Sequence, residues 1–432
     1  MVADGFVSKL CEMLLTYAKE EAAKILGVPD EIKKLHRRLK RIQVVLADAE
    51  NRRFENHRHQ PLAERAARIQ DEWLRFPENY LISDDLFINS CIAEGFVTSE
   101  DITPLEDVAK GYWKELVQRN LLQPDPTWYD ESACRMHDLL RSLAQHIARD
   151  ECFIGDARAF ENKMIMSSSS SSLIKLRRLS VVDGKLETIS DLMMKQTSLR
   201  TPSFCHTPLI HDLPEDLFRK LRNLRVPNLH ETAINNLPTS MGDLVHLRRL
   251  DLSETPIRQI PGSIGNLRNL QFLILQDCKY LRSLPSSVMG LINLRVLDCR
   301  DTPLDGMPVG IGRLQLLHSI KGLVVNGSKG GRSRVGDGRK QEHRRHQRGR
   351  LCTLEELKSL SQLKYLSIYK LERVSNSAEA RAAALEAKPH LVFLEMYCTL
   401  RSSSSDVQQP RAKDYEVFFT KKKKLITSVK KS

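Results

Sequence analysis

The sequence predicts an α plus α/β architecture: helical domains in the N-terminal third and a solenoid of short strands beyond them. Three observations carry this. Apolar residues recur at helical spacing between residues 3 and 50, and leucines recur at a fixed step in the twenties beyond residue 199. Apolar residues make up 41% of 432, enough for a sizeable buried core.

Residues 3–26 and 30–50 read as a helical, coiled-coil-type hairpin within a first domain, 1–55. Ile32, Leu35, Leu39, Ile42, Leu46 and Ala49 follow alternating steps of three and four. That spacing puts one apolar stripe on a helix and leaves Lys33, Lys34, Arg37, Arg38, Lys40 and Arg41 on other faces. Phe6, Leu10, Met13 and Tyr17 repeat the pattern, and Gly27 and Pro29 break the helix between the two segments. Two such stripes need a third element or a second copy to cover them, so self-association through residues 1–50 is one expectation.

Residues 56–77 are polar, lack a period and read as a linker. Residues 78–150 then read as a winged-helix-like domain. Leu86, Ile88 and Ile92 precede a stop at Gly95, and a second helix over Leu105–Leu122 has Val108, Tyr112, Leu116 and Val117 on its apolar side. A third opens near His137 with Leu139, Leu140, Leu143 and Ile147, after a polar hairpin over Pro124–Ser132. DNA reading by the second helix is not supported, because Glu106, Asp107 and Glu115 offset Lys110, Lys114 and Arg119. Residues 151–172 end in six consecutive serines and read as a flexible linker.

Repeats fill residues 173–400. Units begin at Leu221, Leu244, Leu267 and Leu291, with a second leucine three residues on at Leu224, Leu247, Leu270 and Leu294. Leu250, Leu273 and Leu297 follow at the sixth position, and Leu229, Leu252, Leu275 and Cys299 at the eighth. An apolar-proline pair closes each unit: Leu237-Pro238, Ile260-Pro261, Leu284-Pro285 and Met307-Pro308. A weaker unit precedes them around Leu199, Phe204 and Leu213-Pro214, and degenerate ones follow at Leu314, LKYLSIYKL and LVFLEMYC. This is a leucine-rich-repeat solenoid, in which each unit supplies a short strand and a return segment while its neighbours complete the core.

The insert 327–350 carries nine Lys/Arg against two acids, and residues 411–432 carry eight against two. Together they account for the whole net charge of +13, so the folded body is near neutral and global charge gives no argument for nucleic-acid binding. The insert has almost no apolar residue to bury, and both it and the basic tail, 401–432, are expected to be disordered; a nuclear-targeting sequence is the alternative reading of the insert. The first residues show no basic-then-apolar order, no stretch is apolar enough to span a membrane, and the nine cysteines are scattered. A cytoplasmic protein without disulfides is expected, with Cys278 and Cys299 as buried thiols.

Motifs for chemistry are missing. No Gly-x-x-x-x-Gly-Lys-Ser/Thr string offers backbone amides and a lysine to phosphates, and no Gly-x-Ser-x-Gly elbow is present. His343/His346 and His57/His59 lack acidic or Cys partners, so no metal site is expected. Neither a catalytic residue nor a resident cofactor is expected; the chain reads as a non-enzyme. Asp138, beside His137, suits the start of the third helix as a cap.

Several of these segments are similar to a known family. EIKKLHRRLKRIQVVLADAE resembles the N-terminal domain of plant disease-resistance receptors of the coiled-coil, nucleotide-binding, leucine-rich-repeat type. FPENYLISDDLFINSCIAEGFV, VAKGYWKELVQRNLLQ and CRMHDLLRSLAQHIA resemble that family's winged-helix subdomain, including its Met-His-Asp motif as Met136, His137 and Asp138. Cys91 stands where many relatives carry a tryptophan. Between Arg53 and Phe76 about two dozen residues replace the rest of the first domain and the nucleotide-binding core, and with them the acidic helix that docks the coiled coil on the repeats. The resemblance implies a role in plant immunity. In relatives the motif histidine touches the nucleotide phosphate; here His137 and Asp138 would be a remnant, and ADP or ATP would enter only if the transcript encodes the missing core.

The expected function is therefore protein recognition by a truncated or decoy-like receptor. Its partners would be a pathogen effector, a guarded host protein or related receptors. The outward strand positions form the expected face: Val226, Asn228 and His230; Arg249, Asp251 and Ser253; Phe272, Ile274 and Gln276; Val296, Asp298 and Arg300. Phe272 and Ile274 are the expected apolar anchors, with Arg249, Asp251, Asp298 and Arg300 around them; the alternative is that these two side chains pack under a flanking segment. The rival readings are a full nucleotide-switched receptor whose core is absent from the gene model, and a non-functional fragment. Membrane insertion of the first helix, and with it an inner plasma-membrane location, is disfavoured by Glu12, Glu20 and Glu21.

Overall fold

The computed structural model describes residues 80–97, 103–118, 121–127, 132–136, 150–168, 175–182, 185–325, 351–374, 376–398 and 426–431, with Arg141, Gln145 and Ala148. The helical hairpin of 1–55, the linker 56–77, His137, Asp138, the two histidine pairs and the insert 327–350 lie outside the described residues. The chain divides into two compact units. One holds residues up to Asp84 and Phe96–Arg149; the other holds Asp85–Gly95 and everything from Asp150.

The first unit is built on a three-stranded antiparallel sheet of β1 (Ile82–Ser83), β2 (Leu122–Pro124) and β3 (Ala133–Met136), ordered β1-β3-β2. β2 and β3 are the two arms of the expected hairpin, with Leu122 opposite Met136. Asp125 shapes the turn, its carboxylate accepting from the Thr127 amide at 2.9 Å and from Arg135 at 2.7 Å. Helix α2 (Leu105–Gln118) buries Ala109, Trp113 and Leu116. The expected stripe of Val108, Tyr112, Leu116 and Val117 is corrected by one position, since Val108, Tyr112 and Val117 are only half-buried. Leu116 belongs to both faces, so the inward face turns by less than one residue step, enough to point the largest side chain, Trp113, at the core.

The second unit is the solenoid. Its strands run parallel, rung by rung: β4 (Cys152–Gly155), β5 (Arg178–Val181) and β6 (Thr201–Ser203), then β7 (Arg249–Asp251), β8 (Phe272–Ile274), β9 (Val296–Asp298), β10 (Ser319–Val324), β11 (Tyr365–Tyr369), β12 (Phe393–Cys398) and β13 (Ile426–Lys431). Between β6 and β7 the ladder continues only as bridges from Asn228 to Ser203 and to Asp251. Pro227, which has no N–H to give, explains the gap. Inward-facing leucines stack along the whole length, and Leu221, Leu244, Leu267 and Leu291 with their partners at the third position are all at most 2% exposed. Three rungs tie to the previous one through an asparagine side chain: Asn223 donates to the Thr197 carbonyl, Asn269 to Val245 and Asn293 to Arg268, at 2.7–2.8 Å. Cys278 and Cys299 are buried free thiols, as expected, and burial pushes the Cys278 thiol up to about 11.

Two boundaries differ from the sequence reading. The solenoid starts about twenty residues earlier than 173. β4 pairs with β5, and the following helix α3 (Ala157–Ser168) sends Phe160 and Met164 into the leucine core. Residues 151–168 are thus the first rung of the repeats rather than a linker; an aromatic and a methionine fill the space that leucines fill later. At the other end, Ile426–Lys431 of the expected disordered tail pair in parallel with β12, from Phe393–Ile426 to Cys398–Lys431.

Candidate recognition face and its geometry

The outward face of the parallel sheet is laid out in rows by strand register. Arg249, Phe272, Val296, Ser319, Tyr365 and Phe393 are successive partners in one row. Asp251, Ile274, Asp298 and Lys321 form the next. Strand alternation puts these side chains opposite the leucines.

The apolar anchor expected at Phe272 is not on the surface. Phe272 is 0% exposed, although it faces away from the leucine core, as do Val226 (0%) and Val296 (4%). Helix α1 (Asp84–Glu94) explains the burial. Its C-terminal end is tied where the Glu94 carboxylate accepts from the Thr201 hydroxyl of β6 and the Ala93 carbonyl accepts from Arg248 at 3.4 Å. Its other end is tied where Lys321 of β10 reaches Asp85 at 3.1 Å. Phe272 and Val296 occupy rungs between these ties, and α1 buries Phe87, Ile88, Cys91, Ile92 and Ala93. An outward phenylalanine is therefore core to a second layer, and Ile274 is only half-buried.

The charged positions expected to contact a partner pair with one another instead. Arg249 binds Asp251 at 2.7 Å with both side chains buried, and Ser253 also donates to Asp251. Arg300 binds Asp298 at 2.7 Å and the Gln276 amide oxygen at 2.9 Å. Burial of Asp251 opposes its charge, but Arg249 and Ser253 outweigh it and hold the carboxyl below the usual range. A depressed folded pKa contributes stability above the unfolded value of about 4, and that stability is lost as pH falls below it. Asp251→Asn is expected to cost about 3 kcal/mol at neutral pH by stranding Arg249. The gap between variant and wild type should narrow at pH 3 in urea unfolding; an equal gap at both pH values would refute the assignment.

Along successive rungs from β5 to β11 runs a row the sequence reading did not single out: Arg177, Arg200, Arg225, Arg248, Gln271, Arg295, His318 and Lys364. Each amide from Arg200 onward donates to the carbonyl of the residue before it in the row, at 2.7–2.9 Å. The like charges of Arg225 and Arg177 add to burial in lowering the pKa of Arg200. The signal was available, since from Arg225 onward each member directly follows a repeat leucine.

Beyond the last tie of α1, the face turns aromatic. Tyr369 stacks on Tyr397 at 4.3 Å between ring centres, Tyr365 lies 6.3 Å from Phe393, and all four are half-buried. At the opposite end, three side chains that could ligate a metal come together: His206, His230 and Glu231. Only His230 had been placed on this face from sequence, and no metal site had been expected.

Comparison with known proteins fits this layout. Family models match at residues 6–69 (Rx N-terminal domain), 76–144 (disease resistance protein winged helix domain) and 205–414 (leucine-rich repeat region). The disease susceptibility protein LOV1 of Arabidopsis thaliana is 34% identical over 183 residues, which cover 40% of this chain and 20% of that protein. The disease resistance protein RPP13 of Arabidopsis thaliana is 30% identical over 177 residues, with the same shares. The chain thus spans about a fifth of the length of the curated relatives it matches. Among solved structures, the leucine-rich-repeat ectodomain of the receptor kinase GASSHO1/SCHENGEN3 from Arabidopsis thaliana is 20% identical, with a TM-score of 0.38 over 53% of this chain and 28% of that one. Among the described residues, no helix is long and apolar enough to cross a membrane. With the three modules in order and the first match ending at residue 69 just before the second begins at 76, the chain belongs to the coiled-coil, nucleotide-binding, leucine-rich-repeat family of disease-resistance proteins and lacks most of that family's nucleotide-binding core.

Proposed function

We propose that this chain is an immune receptor-like protein of the cytoplasm that works by protein recognition through its repeats, without nucleotide switching. The observation that carries this is the half-buried aromatic group of Tyr365, Tyr369, Phe393 and Tyr397 on the outward face, beyond the reach of α1. Stacked aromatics offer large contact area at small entropic cost and are the side chains most enriched at energetic centres of interfaces. Such a surface suits a protein partner, such as a pathogen effector, a guarded host protein or a related receptor.

The test is an immune-output assay in leaf tissue, reading cell death when the chain is co-expressed with a full-length relative. The wild-type chain is expected to change that output, and the Tyr369→Ala/Tyr397→Ala variant to lose the effect at equal abundance. An unchanged effect removes these residues from recognition. The purified chain is also expected to carry no stoichiometric adenine nucleotide. Nucleotide retained at one equivalent would overturn this reading in favour of a switch.

A further inference from the structure

We propose that His206, His230 and Glu231 form a binding site for a divalent transition-metal ion of the zinc class on the outward face of the first repeats. The repeat geometry brings them together. His206 and Glu231 are left-handed residues (φ 59° and 57°) at the same place in successive rungs, where later repeats carry Glu254, Asp277 and Asp301. The His206 amide donates to the His230 carbonyl at 3.3 Å, and the Glu231 amide to the Ser253 carbonyl at 3.0 Å, so ordinary rung stacking fixes the three residues beside one another. Among the described residues, only between these two rungs does a left-handed histidine face the acid of the next.

The donor atoms converge. One ligand atom from each side chain lies within 4.8 Å of the other two. His206 Nδ1 contacts the Glu231 carboxylate, and the same oxygen lies 4.0 Å from His230 Nε2. The imidazoles stand edge to face, 5.5 Å between centres at 78°, which turns nitrogens rather than ring faces toward the gap. A tetrahedral ion with bonds near 2.1 Å holds its ligands about 3.4 Å apart, a rotamer adjustment from what is present.

A second layer sets the tautomer. Ser253 donates its hydroxyl proton to Asp251, which Arg249 anchors at 2.7 Å, and so presents a lone pair to His230 Nδ1 at 3.0 Å. The imidazole proton therefore sits on Nδ1, and Nε2 turns a lone pair toward the Glu231 carboxylate. Two lone pairs facing each other call for a cation between them. This hydroxyl-bound Nδ1–H is the arrangement that orients histidine ligands in metal sites. Two neutral imidazoles and one carboxylate select zinc, copper or nickel over calcium or magnesium. The side chains of His206 and Glu231 are 43% and 48% exposed, which leaves a fourth coordination position for water or for a side chain of a bound protein.

The test is isothermal titration of the metal-stripped full chain with zinc chloride, together with the visible spectrum of the cobalt(II) form. The comparison set is His206→Asn, Glu231→Gln, Ser253→Ala and the double variant His343→Ala/His346→Ala, with thermal unfolding confirming the fold of each. Asparagine is chosen at position 206 because it tolerates the left-handed backbone. One saturable equivalent is expected for wild type and for the His343/His346 variant. That equivalent should be lost in His206→Asn and Glu231→Gln, and weakened about tenfold in Ser253→Ala. The proposal is overturned if the wild-type chain shows no saturable zinc, or if His206→Asn and Glu231→Gln bind as wild type does.

Discussion

Gly322→Ala is expected to cost on the order of 4 kcal/mol and to split the unfolding of the repeats into two transitions. Gly322 sits in β10 at φ 83°, where the pairing with β11 shifts register between Ile320 and Leu323. A Cβ there would lie 2.5 Å from the carbonyl carbon and oxygen of Cys299 and 2.7 Å from the amide nitrogen of Arg300. All three are backbone atoms of the neighbouring rung and have no flexible end to swing away. The Gly322 amide meanwhile donates to the Ser367 hydroxyl at 2.6 Å, so the strand is held from the other side as well. Relief can come only by parting β9 from β10, which breaks the nearest-neighbour stacking on which a solenoid's cooperativity rests. Urea unfolding followed by circular dichroism checks this; a single transition within about 1 kcal/mol of wild type would contradict the bulge geometry.

Phe272→Lys is expected to be comparably damaging, at about 4 kcal/mol or more, because it deletes a fully buried ring and buries a charge in its place. Of the two readings of position 272 open from sequence, surface anchor or side chain packed under another segment, its full burial selects the second. The location of the damage is the sharper readout. Hydrogen exchange should accelerate in Asp85–Gly95, since α1 loses the row it lies across, while Leu314–Val325 keeps its protection on leucines that do not depend on Phe272. Undiminished protection in Asp85–Gly95 would mean that α1 is held by its polar ties alone.

Most of the fold could be read from the sequence because leucine spacing encodes each rung locally. The strand, the inward positions and the closing Pro all lie within one repeat, and Leu250, Leu252, Leu273 and Leu275 are buried as their spacing required. The first rung was missed because Phe153, Phe160 and Met164 do the same packing without the leucine signature. The outward face was read least well, for a physical reason. Alternation tells which side chains leave the core, but not whether another segment covers them, and α1 lies more than 100 residues upstream of the strands it meets. The His206–His230–Glu231 group escaped notice for a related reason, since its members belong to separate rungs and become neighbours only when the rungs stack. The arginine row is legible in the sequence, because from Arg225 onward each member follows a repeat leucine.

The insertion point of residues 326–350 shows what the ladder counts. The chain leaves the sheet after Val325 and returns at Leu351, which bridges Pro308 of the preceding repeat, while the Cys352 amide donates to the Met307 carbonyl at 2.7 Å. β10 and β11 then pair as directly as strands joined by an ordinary connection. Stacking order is therefore indifferent to how much polypeptide separates two rungs here. An exon could be gained, lost or lengthened at this doorway, and every downstream side chain would keep its facing.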